Sequence, residues 1–217
     1  TGNMTSYLKT FAFTRVYGAD DLGWTGDPPR SDKFAFQSLK QVLTKYKSDK
    51  PFFIGMYTAG THHGVDSPDL TYGDGSNSYY NKFHNLDHWL GDFIAWFQRS
   101  PYYDNTLLVI TSDHGVVSPT PEYRPSFHQK TEHSNFEIPL ILYGKMVKPQ
   151  IVDAKGTTSI SLAPTLLDVL GIRKTEQYFL GCSLFETQCD ERSSRLTGQT
   201  VSTLFICKTG NVTEVEY

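Results

Sequence analysis

Apolar positions recur along the chain in two alternating rhythms, helical spacing over one stretch and a short unbroken apolar run over the next. With Ser31 as its cap, a helix is predicted to reach about Lys47, and Phe34, Leu39, Val42, Leu43 and Tyr46 form its inward face. Lys50-Pro51 ends it, and Phe52 to Tyr57 follows as a buried strand. A second helix is predicted from about Tyr79 to Arg99, with Phe83, Leu86, Leu90, Phe93, Ile94 and Phe97 at helical spacing. Asp87 falls on that apolar face and reads as a hydrogen-bonded structural carboxylate, whereas His84 and His88 read as exposed helix residues. Thr106 to Thr111 and Ile138 to Tyr143 are further short strands. Ser161 caps a helix that has Pro164 in its first turn and Gly171 at its stop. Thr203 to Cys207 and Val212 to Tyr217 flank Lys208-Thr-Gly210-Asn211 as a hairpin.

Strands alternating with helices predict an α/β fold, a mainly parallel sheet covered by helices on both faces, ending in a C-terminal β-hairpin over residues 200–217. In such sheets ligands bind beyond the carboxyl ends of the strands. That rule gathers three polar loops at one edge. The first, Thr58 to Asn77, carries His62 and His63; the second follows Ile110 and carries Asp113 and His114; the third, Val117 to Glu137, carries His128 and His133. These loops are too polar for a core and long enough to be functional.

The sharpest chemical signal is Thr111-Ser112-Asp113-His114-Gly115, directly after the apolar run Leu107 to Ile110. An Asp-His pair at the end of a strand offers a hard oxygen and an imidazole nitrogen to one point, as a divalent-metal site requires. The rest of the composition narrows the setting. A length of 217 residues suits one globular domain, and a net charge of -3 with both signs scattered excludes the basic stripe that a nucleic-acid groove needs. No apolar run approaches the roughly 20 residues that span a bilayer. The chain starts without Met in a polar stretch and reads as a piece of a longer protein, with any membrane anchor or export signal upstream. Cys182 and Cys189 could close a small loop in an oxidising compartment, leaving Cys207; three reduced thiols are the equal alternative.

Tyr102-Tyr-Asp104-Asn105-Thr106-Leu-Leu-Val-Ile-Thr111-Ser-Asp113-His114-Gly115 resembles the segment before the metal site of sulfatases and of lipoteichoic acid synthase-like phosphoglycerol transferases, in the alkaline phosphatase superfamily. Pro51-Phe52-Phe53 with Thr58-Ala-Gly-Thr61-His62 resembles the strand and histidine loop of the phosphoglycerol transferase branch. Ala163-Pro164-Thr165-Leu166-Leu167-Asp168-Val-Leu-Gly171-Ile172 and Leu180-Gly181-Cys-Ser-Leu184-Phe185 resemble what lies near the end of such catalytic domains. The likeness covers residues 31–190, within a chain taken as a single domain over 1–217.

The resemblance implies that Asp113 and His114 bind a catalytic divalent cation, with Mn favoured and Zn, Mg or Ca as alternatives. It implies that His62 acts on the transferred group, and that His63, His133 and Trp24 contact substrate. The substrate would be a small or lipid-linked ester, phosphoglycerol-like before sulfate, in an extracytoplasmic, membrane-anchored parent protein that touches the membrane only through segments absent here. In the family the nucleophile and a further acidic metal ligand lie well upstream of the Asp-His pair, and no segment here is expected to supply them. Gly26-Asp27-Pro28-Pro29-Arg30 has the Pro and Arg spacing of a sulfatase nucleophile motif, but Gly stands at the nucleophile position. The chain is therefore expected to be the C-terminal part of a catalytic domain, partnered by the upstream half and inactive alone. Two other readings stay open: a non-catalytic binding or scaffold module, and a complete metal site built from His62, His63, Asp113, His114 and His133.

Overall fold

The structure, a computed structural model, describes residues 4–11, 13–18, 20–23, 32–62, 69–115, 138–154, 157–172, 179, 181–186, 191–197, 202–208 and 211–216. They fall in two compact units, Thr1–Val147 and Lys148–Tyr217. In the first unit a short helix α1 (Met4–Lys9) precedes the two long helices α2 (Lys33–Lys45) and α3 (Ser78–Gln98). Strands β1 (Leu108–Thr111) and β2 (Leu140–Tyr143) follow.

The core of this unit is aromatic. Phe36 and Leu43 of α2 meet Phe93 and Phe97 of α3, and all four are buried. Phe93 and Phe97, one turn apart on α3, stack with ring centroids 6.2 Å apart, and Phe36 lies 5.7 Å from Phe93. Tyr103 meets Phe97 edge-on at 5.6 Å, and Tyr143 of β2 packs against both, so the helix pair carries the strands through rings. On α2 the buried positions are Phe36 and Leu43, whereas Phe34, predicted to face inward, is 39% exposed. Phe34 and Phe36 stand about 200° apart around the helix, so only one of them can face α3; the helix begins at Lys33, with Asp32 at the capping position. Ser31 lies outside the described residues.

Helix α3 keeps its predicted bounds within a residue. The Asn77 side chain caps it, accepting the backbone N–H groups of Tyr79 and Tyr80 at 3.0 and 3.1 Å. Its second buried stripe is polar, made of Asn81, Lys82 and Asn85. Asn81 accepts the Tyr72 N–H at 2.8 Å and donates to the Gly75 carbonyl at 2.8 Å, which ties the polar loop down to the helix. Asp87 is exposed, contrary to its reading as a buried structural carboxylate; the buried side chains that bond are the amides two and six residues earlier.

One expectation about the sheet changes. Residues 51–59 join no ladder among the described residues, and Phe53 and Tyr57 are 75% and 71% exposed. Phe52 alone turns inward, edge-on to Tyr46 at 5.2 Å and Tyr102 at 5.9 Å. An apolar run becomes a buried strand only where neighbours cover both sides, and here one ring is covered. The described pair β1 and β2 runs antiparallel, from Leu108 opposite Tyr143 to Thr111 opposite Leu140.

In the second unit a 3-10 turn, Ser159–Ser161, leads into α4 (Leu162–Val169). Gly171, at φ +69°, stops the helix as predicted, and the Ile172 N–H donates back to the Leu167 carbonyl at 2.8 Å. Fully buried Thr165 donates to the Ser161 carbonyl at 2.6 Å and accepts the Leu184 N–H at 3.0 Å. Cys182 beside it is disulfide-bonded. The expected C-terminal hairpin is present as β4 (Ser202–Lys208) and β5 (Asn211–Glu216), and β3 (Glu191–Thr197) pairs antiparallel on the other side of β4. The sequence of β3, with six polar residues among its seven, gave no strand signal.

Replacing Phe93 by Ala removes the ring that both helices share and should cost about 3–5 kcal/mol of stability, whereas Phe34→Ala, half in solvent, should cost under about 1 kcal/mol. Thermal unfolding of the two variants beside the natural protein measures this; equal midpoints for the two variants would displace the stacked pair from the centre of the core.

Candidate active site

Strand β1 ends at Thr111, whose hydroxyl donates to the Pro139 carbonyl at 2.8 Å and fastens the strand end to the start of β2. The next four residues form a tight bend held by its own polar groups. The Ser112 hydroxyl donates to the His114 carbonyl at 2.7 Å, and the His114 N–H donates to Asp113 Oδ1 at 3.0 Å. The His114 Nδ1 lies 2.6 Å from the Gly115 carbonyl oxygen. A carbonyl only accepts, so Nδ1 carries the proton and Nε2 presents a lone pair. That Nε2 lies 3.7 Å from Asp113 Oδ2. Both side chains are about half exposed, at 56% and 54%, so the pair is open to a ligand.

The donor chemistry fits a divalent cation. Two ligands each about 2 Å from a shared ion stand roughly 3–3.4 Å apart in octahedral or tetrahedral geometry, close to the separation observed. The Nδ1–H to carbonyl bond is the outer contact that metal-bound imidazoles characteristically make. Among the described residues no third His, Cys, Asp or Glu joins these two.

A third side chain reaches the pair. Tyr57, just before the histidine loop, donates its hydroxyl to Asp113 Oδ2 at 3.4 Å. Local desolvation, and then the negative charge of Asp113, push this phenol above its ordinary range, so it remains a protonated donor. The contact brings the head of the histidine loop to the end of β1, as the sheet-edge argument predicted for these two loops. His62 follows five residues after Tyr57, a path of at most roughly 17 Å. His62 is exposed, on a turn closed by its own N–H donating to the Ala59 carbonyl at 3.1 Å.

The turn is held from beneath by a residue that the sequence pattern did not single out. Asp32, 3% exposed, accepts the N–H groups of Ala59 and Gly60 through Oδ1, at 2.9 and 3.0 Å. Burial pushes its carboxyl above the ordinary carboxylate range, and the two amide bonds pull partly the other way. Lys82 of α3, also buried, donates to the His62 carbonyl at 3.3 Å. An acidic residue next to a helix start was the available signal for Asp32, but that signal reads as a helix cap. Trp24, His63 and His133, the remaining predicted contacts, lie outside the described residues, as does the loop histidine His128. His84 and His88 are exposed on α3, as expected, with His88 Nε2 3.9 Å from Asp92 Oδ2.

The sulfatase family model matches residues 3–172. Phosphoglycerol transferase I of Escherichia fergusonii is 26% identical over 215 residues, 92% of this chain and 26% of that protein. A phosphopentomutase of Kosmotoga olearia is 29% identical over 110 residues, 50% of this chain and 25% of that protein, and mouse arylsulfatase K is 26% identical over 94 residues, 43% and 17% respectively. Among solved structures, a protein in the alkaline phosphatase superfamily from Vibrio parahaemolyticus superimposes with a TM-score of 0.63 at 21% identity, covering 86% of this chain and 47% of that one. The α/β fold of that superfamily is thereby shown. The chain spans about a quarter of the length of the curated relatives it matches most fully.

The raised carboxyl of Asp32 has a stability consequence of definite sign. A group that holds its proton more tightly folded than unfolded favours the folded state at low pH, and this gain is lost as pH rises through the folded-state value. Asp32→Asn, which cannot ionise, escapes that loss. The variant should therefore gain on the natural protein in melting temperature as pH is raised from the carboxylate range towards 7; a constant difference across that range would place the ionised carboxylate at no disadvantage.

Proposed function

The chain belongs to the sulfatase family, and from that membership together with the Asp113 and His114 pair we propose that it forms the metal-holding, C-terminal part of a catalytic domain that transfers or hydrolyses a phosphate ester. The observation that carries the reading is the fixed orientation of the two donors, with His114 Nε2 and Asp113 Oδ2 facing each other at the end of β1. Asp113 and His114 would hold the cation, and Tyr57 would keep Asp113 oriented through its hydroxyl. A divalent ion bound there draws charge from the substrate's oxygens and favours ionisation of a hydroxyl nucleophile. Mn is the favoured ion, with Zn, Mg and Ca as the alternatives.

His62, on its restrained turn, is assigned to the transferred group, where an imidazole neutralises charge or gives a proton to the departing oxygen. The nucleophile and the remaining metal ligands are assigned to the part of the domain outside this chain, so the two-donor set alone should bind weakly. A phosphoglycerol or related substrate is favoured over a sulfate ester, because the similarity to phosphoglycerol transferase I runs through 92% of the chain and that to arylsulfatase K through 43%. His63, His133 and Trp24 are further candidates for substrate contact. The disulfide at Cys182 supports an oxidising, extracytoplasmic setting for the parent protein. None of the described helices is long and apolar enough to cross a membrane, and membrane attachment is assigned to other segments of that protein.

Calorimetric titration with Mn and Zn, followed by phosphodiester and sulfate-ester assays of the full-length parent, tests the assignment. The isolated chain should bind either ion weakly, and Asp113→Asn in the parent should lower phosphodiester turnover roughly a hundredfold or more. Tight, Asp113-dependent binding by the isolated chain would instead mean that the metal shell is complete within these residues. Turnover of the sulfate ester alone would transfer the reading to the sulfatase branch.

A further inference from the structure

Three buried or constrained features converge on the turn that carries His62. Asp32 sits at the capping position of α2 yet gives its helix no side-chain bond; its Oδ1 instead reaches 27 and 28 residues along the chain to Ala59 and Gly60. Its Oδ2 is buried with no hydrogen-bond partner among the described residues, an arrangement that costs free energy and persists only where something offsets it. Gly60 is part of the same fit: a Cβ there would stand 2.5 Å from Asp32 Oδ2, so the carboxylate occupies the space that any other residue at 60 would need. From the opposite side Lys82, 5% exposed, points its ammonium at the His62 carbonyl and lies over the Tyr79 ring at 5.4 Å. Lysine is rarely buried to this extent.

The consequence is local. Between Ala59 and His62 the N–H groups of 59, 60 and 62 and the carbonyls of 59 and 62 all have bonds, while His62 remains exposed. A side chain in solvent on an immobilised backbone has little ordering left to do when a substrate arrives. We infer that Asp32 and Lys82 are positioning residues for His62, a carboxylate and an ammonium gripping opposite ends of one turn so that the imidazole is held ready for the transferred group. This rests on the role proposed for His62 above. Neither residue touches substrate; each acts through the backbone of the turn.

The test uses the full-length parent protein with Asp32→Ala, Asp32→Asn, Lys82→Met and His62→Ala. Backbone amide exchange is read at residues 59, 60 and 62, and turnover is read on two phosphodiesters, one losing nitrophenolate and one losing an alkoxide. In Asp32→Ala and in Lys82→Met the His62 amide, which bonds to neither side chain, should exchange at least about tenfold faster. Asp32→Asn, which keeps the oxygen acceptor, should stay within about threefold of the natural protein. Both disruptive variants should lose about tenfold more turnover on the alkoxide ester than on the nitrophenolate ester, as His62→Ala does, because only the poor leaving group needs the proton. Combined with His62→Ala they should add no further loss. Should Asp32→Ala fail to fold, Lys82→Met carries the same readouts. Unchanged exchange at His62, or losses equal on the two esters and multiplicative with His62→Ala, would overturn the inference. Should His62→Ala alter neither ester, the proposed role of His62 falls and the positioning inference with it, while the exchange data still report whether the two side chains fix the turn.

Discussion

Everything that places the candidate site depends on the stack of Phe93 over Phe97 on α3. These rings bury the inner face of α2 through Phe36, and through Tyr103 and Tyr143 they set where β1 and β2 lie. Aromatic packing is directional as well as apolar, which makes it suited to fixing a short strand pair that has few ladder bonds of its own. Once β1 is fixed, the direction of the chain leaving it at Thr111 is fixed as well. The same helix then serves the other half of the site, because Asn81 and Lys82 of its polar stripe fasten the loop before it. One helix thus sets both the metal-donor bend and the histidine turn, and uses opposite chemical characters to do so.

Asp113 and His114 are not arranged to satisfy each other. At 3.7 Å and half exposed, their mutual attraction is weak and screened by solvent. Each is instead held by its own backbone, Asp113 through the His114 N–H and His114 through the Gly115 carbonyl. That leaves the facing oxygen and nitrogen oriented, the oxygen with only the long Tyr57 contact beside it among the described residues. Charge is used differently at the neighbouring turn, where Asp32 and Lys82 are removed from water and spend their bonding on peptide groups. The site therefore pairs exposed groups fit for chemistry with buried groups fit for support.

How much of this could be read beforehand follows from the range of each interaction. The bounds of α3, the stop of α4 at Gly171 and the β4 and β5 hairpin rest on local periodicity and turn chemistry, and they were legible. The Asp-His bend was legible because an apolar run leads straight into it. Phe52 to Tyr57 was legible as an apolar run but not as to its covering, since burial depends on neighbours that a single run does not name. The bonds of Tyr57 to Asp113, 56 residues away, and of Asp32 to Ala59, 27 away, leave no periodic trace. Asp32 was masked further, because its place before a helix already has an ordinary explanation.

The close fit of Gly60 against Asp32 couples two positions 28 residues apart. Because a methyl group at 60 would fall 2.5 Å from Asp32 Oδ2, a side chain there requires the carboxyl group to move or residue 32 to become smaller. Either change disturbs the group that holds two peptide N–H groups, so a substitution at 60 is felt at the start of α2.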